Sequence, residues 1–443
     1  MIAGLTGAPA MPANRVAAPT SAVSSAVAPA FAALPGSVGD APASSGPTAT
    51  SAATRSLIGS LSAVDAAALP AYVNAHRSEL NRLLVDPPAA ADAARMWRLL
   101  DPAKRSVLVQ TVPHVIGNLE GVPYAVRGQA NTLDLKRTIA SAKSDLGTQH
   151  GRTARIALQR KLTTLGNVEK ALAAKDGDKR TLIALDPGDD ARASIVVGDL
   201  STATYVSVLV PGMYMSVGEQ IEGWARVAQD LHDQQTEALR RMLGPRGSTP
   251  PGVAVVAWIG YQTPVLTNIG GMQLAEQGAD SLERTLLGIQ SIRRTDPPYL
   301  SLFAHSYGST AALLALERGT VRVDALALMG SPGSDAQSVA GLSVAGGNVF
   351  VGEAPLDPIV HSAFFGSDPG SPSYGARSMG VDGSVDPLTH VALAGSSGHN
   401  EYFTAGTESI RNLAMIGIDR GDLVIPASSD PEGVATQTAA ARG

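Results

Sequence analysis

Pro298-Tyr-Leu-Ser-Leu-Phe-Ala-His-Ser-Tyr-Gly-Ser-Thr-Ala-Ala-Leu-Leu-Ala-Leu-Glu317 is the stretch on which the reading of this chain turns. It runs from an apolar β segment through a sharp corner into an Ala/Leu helix. The corner, Ala304-His305-Ser306-Tyr307-Gly308, fits the pattern G-x-S-x-G with Ala in place of the first Gly. A serine at such a corner has a strained backbone, so the residues two before and two after it must be small enough to clear the neighbouring chain. Ala304 and Gly308 satisfy that condition. The corner lifts the hydroxyl above the sheet edge and sets a helix N-terminus beneath it, whose free N–H groups stabilise a developing oxyanion. Ser306 is therefore read as a nucleophile directed at a carbonyl carbon.

A hydroxyl is almost wholly protonated at neutral pH and needs a base. In strand–turn–helix sites of this kind the chain order is Ser, acid, His. The histidines after Ser306 are His361, His390 and His399. His399 lies in Gly-Ser-Ser-Gly-His-Asn-Glu-Tyr-Phe, a Gly-rich loop able to bring an imidazole over the sheet edge, and is the favoured base. His390 precedes an apolar run and reads as structural, and His361 as a pocket residue. His305 adjoins the serine, but successive side chains diverge there. The acid should follow a later strand and reach the second ring nitrogen. Asp357, just after the apolar run Asn348–Val351, occupies that place, with Asp335, Asp368 and Asp382 as rivals. A second oxyanion donor is expected from the loop after the third strand. Val208-Leu-Val-Pro-Gly-Met-Tyr-Met215 makes the N–H of Met213 the natural partner of the Tyr307 N–H.

Working outward, β-branched runs at Thr181–Leu185, Ser194–Val197, Tyr205–Val210, Val253–Ile259, Tyr299–Phe303, Ala325–Met329 and Asn348–Val351 alternate with helical patterns, among them Val217–Leu243, Asp280–Arg294 and Tyr402–Ile416. Alternation of this kind predicts βαβ units and a mostly parallel sheet covered on both faces. Before it, residues 56–178 carry helical periodicity, interrupted by turn formers across Pro113–Pro123 and resuming from Thr132 to Ala173. Residues 1–55 are dominated by Ala, Pro, Ser, Gly and Thr, too poor in large apolar side chains to offset the entropy of ordering, and read as a disordered tail. The expected organisation is thus tail 1–55, helical domain 56–178, catalytic α/β domain 179–425 and flexible C-terminal tail 426–443.

Composition narrows the function. Of 443 residues 44% are hydrophobic and 16% charged, enough apolar material for a large core. The net charge of -5, without a dense Lys/Arg block, argues against nucleic acid as a partner. There are no cysteines, which excludes disulfides, thiolate catalysis and Cys-ligated zinc. No apolar run reaches the roughly 18 residues of a membrane-spanning helix. Val16–Leu34 is the nearest approach to an export signal, but Pro19, Pro29, several serines and a positive charge far from Met1 weigh against it, so a cytoplasmic chain is favoured. The patterns H-E-x-x-H, G-x-x-x-x-G-K-[ST] and a strand–helix G-x-G-x-x-G are absent. Asp186, Asp189 and Asp190, in a Pro-Gly turn, read as solvated.

Taken together, Pro211-Gly212 after an apolar strand, the elbow at 304–308, Asp357 in Leu-Asp-Pro and His399 in Gly-His-Asn-Glu-Tyr resemble the actinobacterial α/β-hydrolase family long known as a domain of unknown function, DUF1023. The resemblance covers residues 180 to about 420. Ile116-Gly-Asn-Leu-Glu-Gly-Val-Pro123 with Arg127, Ala130 and Asn131 is similar to the region preceding the hydrolase part in that family. The resemblance implies an α/β-hydrolase fold and a Ser-Asp-His triad of Ser306, Asp357 and His399, and implies no substrate.

The resulting expectation is a serine hydrolase of small-molecule acyl esters that works through an acyl-enzyme and needs no cofactor or metal. Met213, Tyr214 and Met215, with Trp258 and Tyr261, suggest an apolar pocket or core. An acyltransferase with the same site and an inert binding module built on the same fold are the alternatives.

Overall fold

A computed structural model of the chain describes residues 51–428 except 176 and 245–248. The candidate export segment and most of both expected tails lie outside the described residues. The N-terminal tail was expected to reach residue 55, but α1 (Ala52–Ala63) begins earlier because Ser51 caps it, its Oγ accepting from Thr54 N at 3.2 Å.

Seven further helices precede the sheet: α2 (Leu69–Ala75), α3 (Arg77–Arg82), α4 (Ala90–Leu99), α5 (Pro102–Thr111), α6 (Pro113–Asn118), α7 (Tyr124–Thr148) and α8 (Arg152–Ala173). Two of them differ from the sequence expectation. The supposed interruption at Pro113–Pro123 contains α6, opened by a proline at its first position, where no N–H is needed. The long run expected from Thr132 starts at Tyr124 and breaks at Gln149–Gly151 into two helices.

The sheet comprises β1 (Arg180–Asp186), β2 (Arg192–Gly198), β3 (Tyr205–Val210), β4 (Val253–Ile259), β5 (Tyr299–His305), β6 (Ala325–Met329), β7 (Val349–Gly352) and the short β8 (Arg377–Ser378), in the order β1-β2-β4-β3-β5-β6-β7-β8. Pairing is parallel from β4 to β8, while β1 and β2 are antiparallel additions at one edge. A mostly parallel sheet must be covered on both sides, and the two-residue period of the strands does this. In β4, Ala254, Val256 and Trp258 face the layer of α10 (Gln273–Ile292) and α11 (Tyr307–Glu317). Val253, Val255, Ala257 and Ile259 face α8, α9 (Val217–Leu243) and α12 (Glu408–Gly417). Helix α10 begins seven residues earlier than its pattern suggested. The run from Tyr402 becomes helical only at Glu408, where Thr407 supplies the cap.

Packing is continuous across residue 178. Leu135 and Ile139 of α7 and Leu165, Val168 and Ala171 of α8 share one apolar cluster with the sheet, whereas α1–α6 enclose their own around Trp97. The free edge of β1 is closed by amides. Asn118 accepts from Leu185 N and donates to Leu185 O, both at 2.8 Å, and Asn131 donates to Leu182 O at 3.1 Å. The groups so covered are not open to pairing with another strand. Arg127, with Nε on Gly117 O at 3.1 Å and its fork on Glu120, holds the same segment in place.

Candidate active site

The carboxyl ends of β3, β5, β6 and β7 meet at one edge, the usual site-bearing edge of an α/β sheet. After β5 the chain turns at Ser306 with φ 53° and ψ −133°, a conformation that ordinary residues avoid. The small neighbours are needed sterically. A Cβ on Gly308 would lie 2.3 Å from Pro211 O, and one on Gly212 would lie 2.6 Å from Ser306 Cβ. The loop after β3 is thereby pressed against the serine. Tyr261 fixes it from behind by donating to Pro211 O at 2.7 Å. Neither the Met213 nor the Tyr307 N–H donates to a backbone carbonyl among the described residues.

His399 bridges Ser306 and Asp357. Its Nε2 lies 2.7 Å from Ser306 Oγ and its Nδ1 2.8 and 2.9 Å from the two oxygens of Asp357. A carboxylate accepts, so Nδ1 carries the proton and Nε2 is left to receive one from the serine. Burial by itself would push the Asp357 carboxyl up. The bonds from His399, from the Tyr402 hydroxyl at 2.7 Å and from Ile359 N at 2.9 Å outweigh it and hold the group below the ordinary carboxylate range.

Three further residues shape this row and were not singled out for it in the sequence. Tyr402 donates to Asp357 and accepts from Ala354 N at 2.8 Å, tying the acid's loop to the base's loop. His305 points back and donates from Nε2 to the His399 carbonyl at 2.6 Å, with ring centroids 4.7 Å apart. Burial, helped by the neighbouring imidazole, pulls His305 down to about 3, so it stays neutral. Gly330, directly after β6 with φ 54°, lies under the pair, where a Cβ would stand 2.5 Å from Asp357 Oδ2 and 2.9 Å from His399 Nδ1. The signal for Tyr402 was its position three residues after His399. Gly330 carried none.

A family model described as alpha/beta hydrolase matches residues 186–367. Mb0988c of Mycobacterium bovis is 30% identical over 217 residues, which cover 47% of this chain and 79% of that protein. The chain belongs to the alpha/beta hydrolase family. MT2140 of Mycobacterium tuberculosis is also 30% identical, over 392 residues, or 76% of this chain and 57% of that relative, so the chain spans little more than half of its length. Among solved structures, carboxyl esterase 2 of Tuber melanosporum overlays 57% of this chain and 89% of its own at 12% identity and TM-score 0.34. The esterase of Pyrobaculum calidifontis overlays 64% and 97% at 11% and 0.32.

The other candidate residues of this hydrolase-family chain lie outside the Ser306–His399–Asp357 row. His361 pairs with Asp368 at 3.0 Å, and Asp382 lies 3.4 Å from the Ser428 hydroxyl. His390 sits in a turn, its N–H on Asp386 O at 2.8 Å. Of the four acids considered, Asp357 is the one that contacts His399. Trp258 and Tyr261 are buried in the core beneath α10, while Tyr214 is exposed. Asp186 pairs with Arg192. No helix among the described residues is long and apolar enough to cross a membrane.

Proposed function

We propose that the protein is a serine hydrolase of carboxylic esters, with Ser306 as nucleophile, His399 as base and then acid, Asp357 as the group that orients and stabilises His399, and the N–H groups of Met213 and Tyr307 as oxyanion donors. The observation that carries the reading is the 2.7 Å approach of His399 Nε2 to Ser306 Oγ, with Nδ1 held on a buried carboxylate. Ser306 Oγ attacks the ester carbonyl as its proton moves to Nε2, and the imidazolium is stabilised by Asp357. The tetrahedral oxyanion collapses as His399 returns that proton to the departing alkoxide, leaving an acyl-Ser306. Water, deprotonated by His399, attacks the acyl carbon. The second tetrahedral intermediate releases the acid, and the proton goes back to Ser306.

A cavity of about 680 Å³ adjoins the loop after β3, walled by Ile156 and Thr163 of α8, Tyr214, Met215 and Val265. Its size suits a small organic substrate; Ser306 and His399 are not among its lining residues, and its assignment to the substrate rests on Tyr214 and Met215, which directly follow the proposed donor Met213. On this reading α8 shapes the site.

The test is labelling of the intact chain with a fluorophosphonate, followed by mass spectrometry on wild type, Ser306→Ala and His399→Ala. A single adduct on Ser306 in wild type, absent from both variants, is expected, with ester turnover falling roughly 10⁴-fold or more in each. A folded wild type that takes no label overturns the proposal. Capture of the acyl group by added alcohol in preference to water would make the protein a transferase.

A further inference from the structure

A second cavity, of about 170 Å³, lies between the α3–α4 connection, α6, the β1–β2–β4 edge of the sheet and α10. Leu83, Leu84, Pro87, Trp258 and Leu287 give it apolar walls. Its charged lining consists of Arg127, Arg192, Arg284, Glu120, Asp186 and the partly exposed His114. Two of the three guanidinium groups are matched, Arg127 by Glu120 and Arg192 by Asp186, and His114 is matched by Asp134 at 2.9 Å.

Arg284 has no salt-bridge or hydrogen-bond partner among the described residues. The carboxylates within its reach are engaged elsewhere. Asp280 and Glu283 on its own helix receive Arg318 at 2.7 and 3.1 Å, and Glu120 holds the fork of Arg127. Burial, aided by the neighbouring Arg192, pulls its pKa down, and the more distant charges of Asp280, Glu120 and Glu283 offset this only in part. Half-burying an arginine in this way costs stability unless something pairs with it.

We propose that this cavity binds a small organic anion, a carboxylate or phosphate monoester on an apolar body about the size of a benzene ring, with the Arg284 guanidinium as the group that pairs its charge. The guanidinium fork suits two anionic oxygens at once. A cavity of ~150 Å³ holds benzene, so the apolar walls can take an aromatic or short branched group. The site is independent of Ser306 and of the proposed ester hydrolysis.

Calorimetric titration of the full chain carrying Ser306→Ala removes any contribution from turnover. The probes are benzoate and phenyl phosphate, with benzyl alcohol as the uncharged counterpart. At least one of the two anions is expected to bind more tightly than benzyl alcohol. Arg284→Met should weaken that binding about tenfold or more while leaving the ligand-free melting temperature unchanged or raised. Preference for benzoate identifies a carboxylate ligand, and preference for phenyl phosphate a phosphate monoester. Equal binding of benzyl alcohol, no binding of either anion, or unchanged affinity in Arg284→Met overturns the proposal. So does a lower ligand-free melting temperature in that variant, which would make Arg284 a structural residue. Arg284→Lys is measured beside it as a second variant. It keeps a point charge but loses the fork, so it must still bind, with reduced affinity; unchanged affinity or no binding overturns the proposal.

Discussion

Asp357 and Arg284 are both charges drawn out of bulk water in the same chain, and they differ in company. Asp357 is buried yet receives His399, Tyr402 and the Ile359 N–H, so its carboxylate is favoured despite the burial. Arg284 sits in a part-apolar cavity whose nearby carboxylates are all committed to other arginines. A buried charge with a full set of partners specifies one geometry and one protonation state, which a proton-transfer row requires. A charge without partners is a standing cost that a bound counterion can remove.

The largest change in this contrast should come from Gly330→Ala. The new Cβ would crowd Asp357 Oδ2 and His399 Nδ1, and the left-handed backbone adds strain. We expect a loss of roughly 10²-fold in kcat on an ester substrate, since ångström-scale misplacement of catalytic groups has that effect. Stability should fall by about 1–2 kcal/mol in urea unfolding. Unchanged turnover would mean that the His399–Asp357 contact is not required for the reaction.

Tyr402→Phe removes one partner from Asp357 and leaves Ala354 N–H unmatched, at a cost of about 1–2 kcal/mol. The sign of its pH effect follows from the depressed pKa. The stability contributed by ionised Asp357 is present above the unfolded carboxyl value and is lost as pH falls through the folded one. Without Tyr402 the folded value rises, so this contribution disappears at a higher pH and is smaller throughout. Unfolding curves between pH 3 and pH 6, compared with wild type, measure it, and curves that superimpose once offset by a constant would remove Tyr402 from the acid's environment.

The effect of His305 is confined to acid pH. Its folded pKa of about 3 lies below the unfolded value of 6.5, so between them the unfolded chain binds the extra proton. Stability from this residue is therefore complete above 6.5 and declines as pH falls towards 3, with a slope of up to ~1.4 kcal/mol per pH unit. His305→Gln should flatten that decline by one proton. An equally steep profile in the variant would place the acid sensitivity elsewhere.

How much was legible follows from how far apart the interacting residues lie along the chain. Runs such as Tyr205–Val210 and Val253–Ile259 are strands with those very limits, because β-branched side chains buried on both faces write an unbroken apolar signal into the sequence. The corner at 304–308 is equally local, since five consecutive residues must avoid one another and the chain beside them. The start of α12 was misplaced because Tyr402 is apolar enough to mimic a helical position while its hydroxyl serves Asp357. Sequence order left four acids open for one histidine, and the separation of 42 positions from Asp357 to His399 is closed only by the fold.

The sequence by itself determined the alternation of strands and helices and the strained turn at Ser306, because both depend on neighbours a few residues away. Only the tertiary structure decided which carboxylate meets His399, why Gly330 must lack a side chain, how Asn118 and Asn131 cover the edge of β1, and that Arg284 stands without a salt-bridge or hydrogen-bond partner among the described residues. Each of these depends on groups distant in sequence competing for the same few ångströms of space or the same counter-charge.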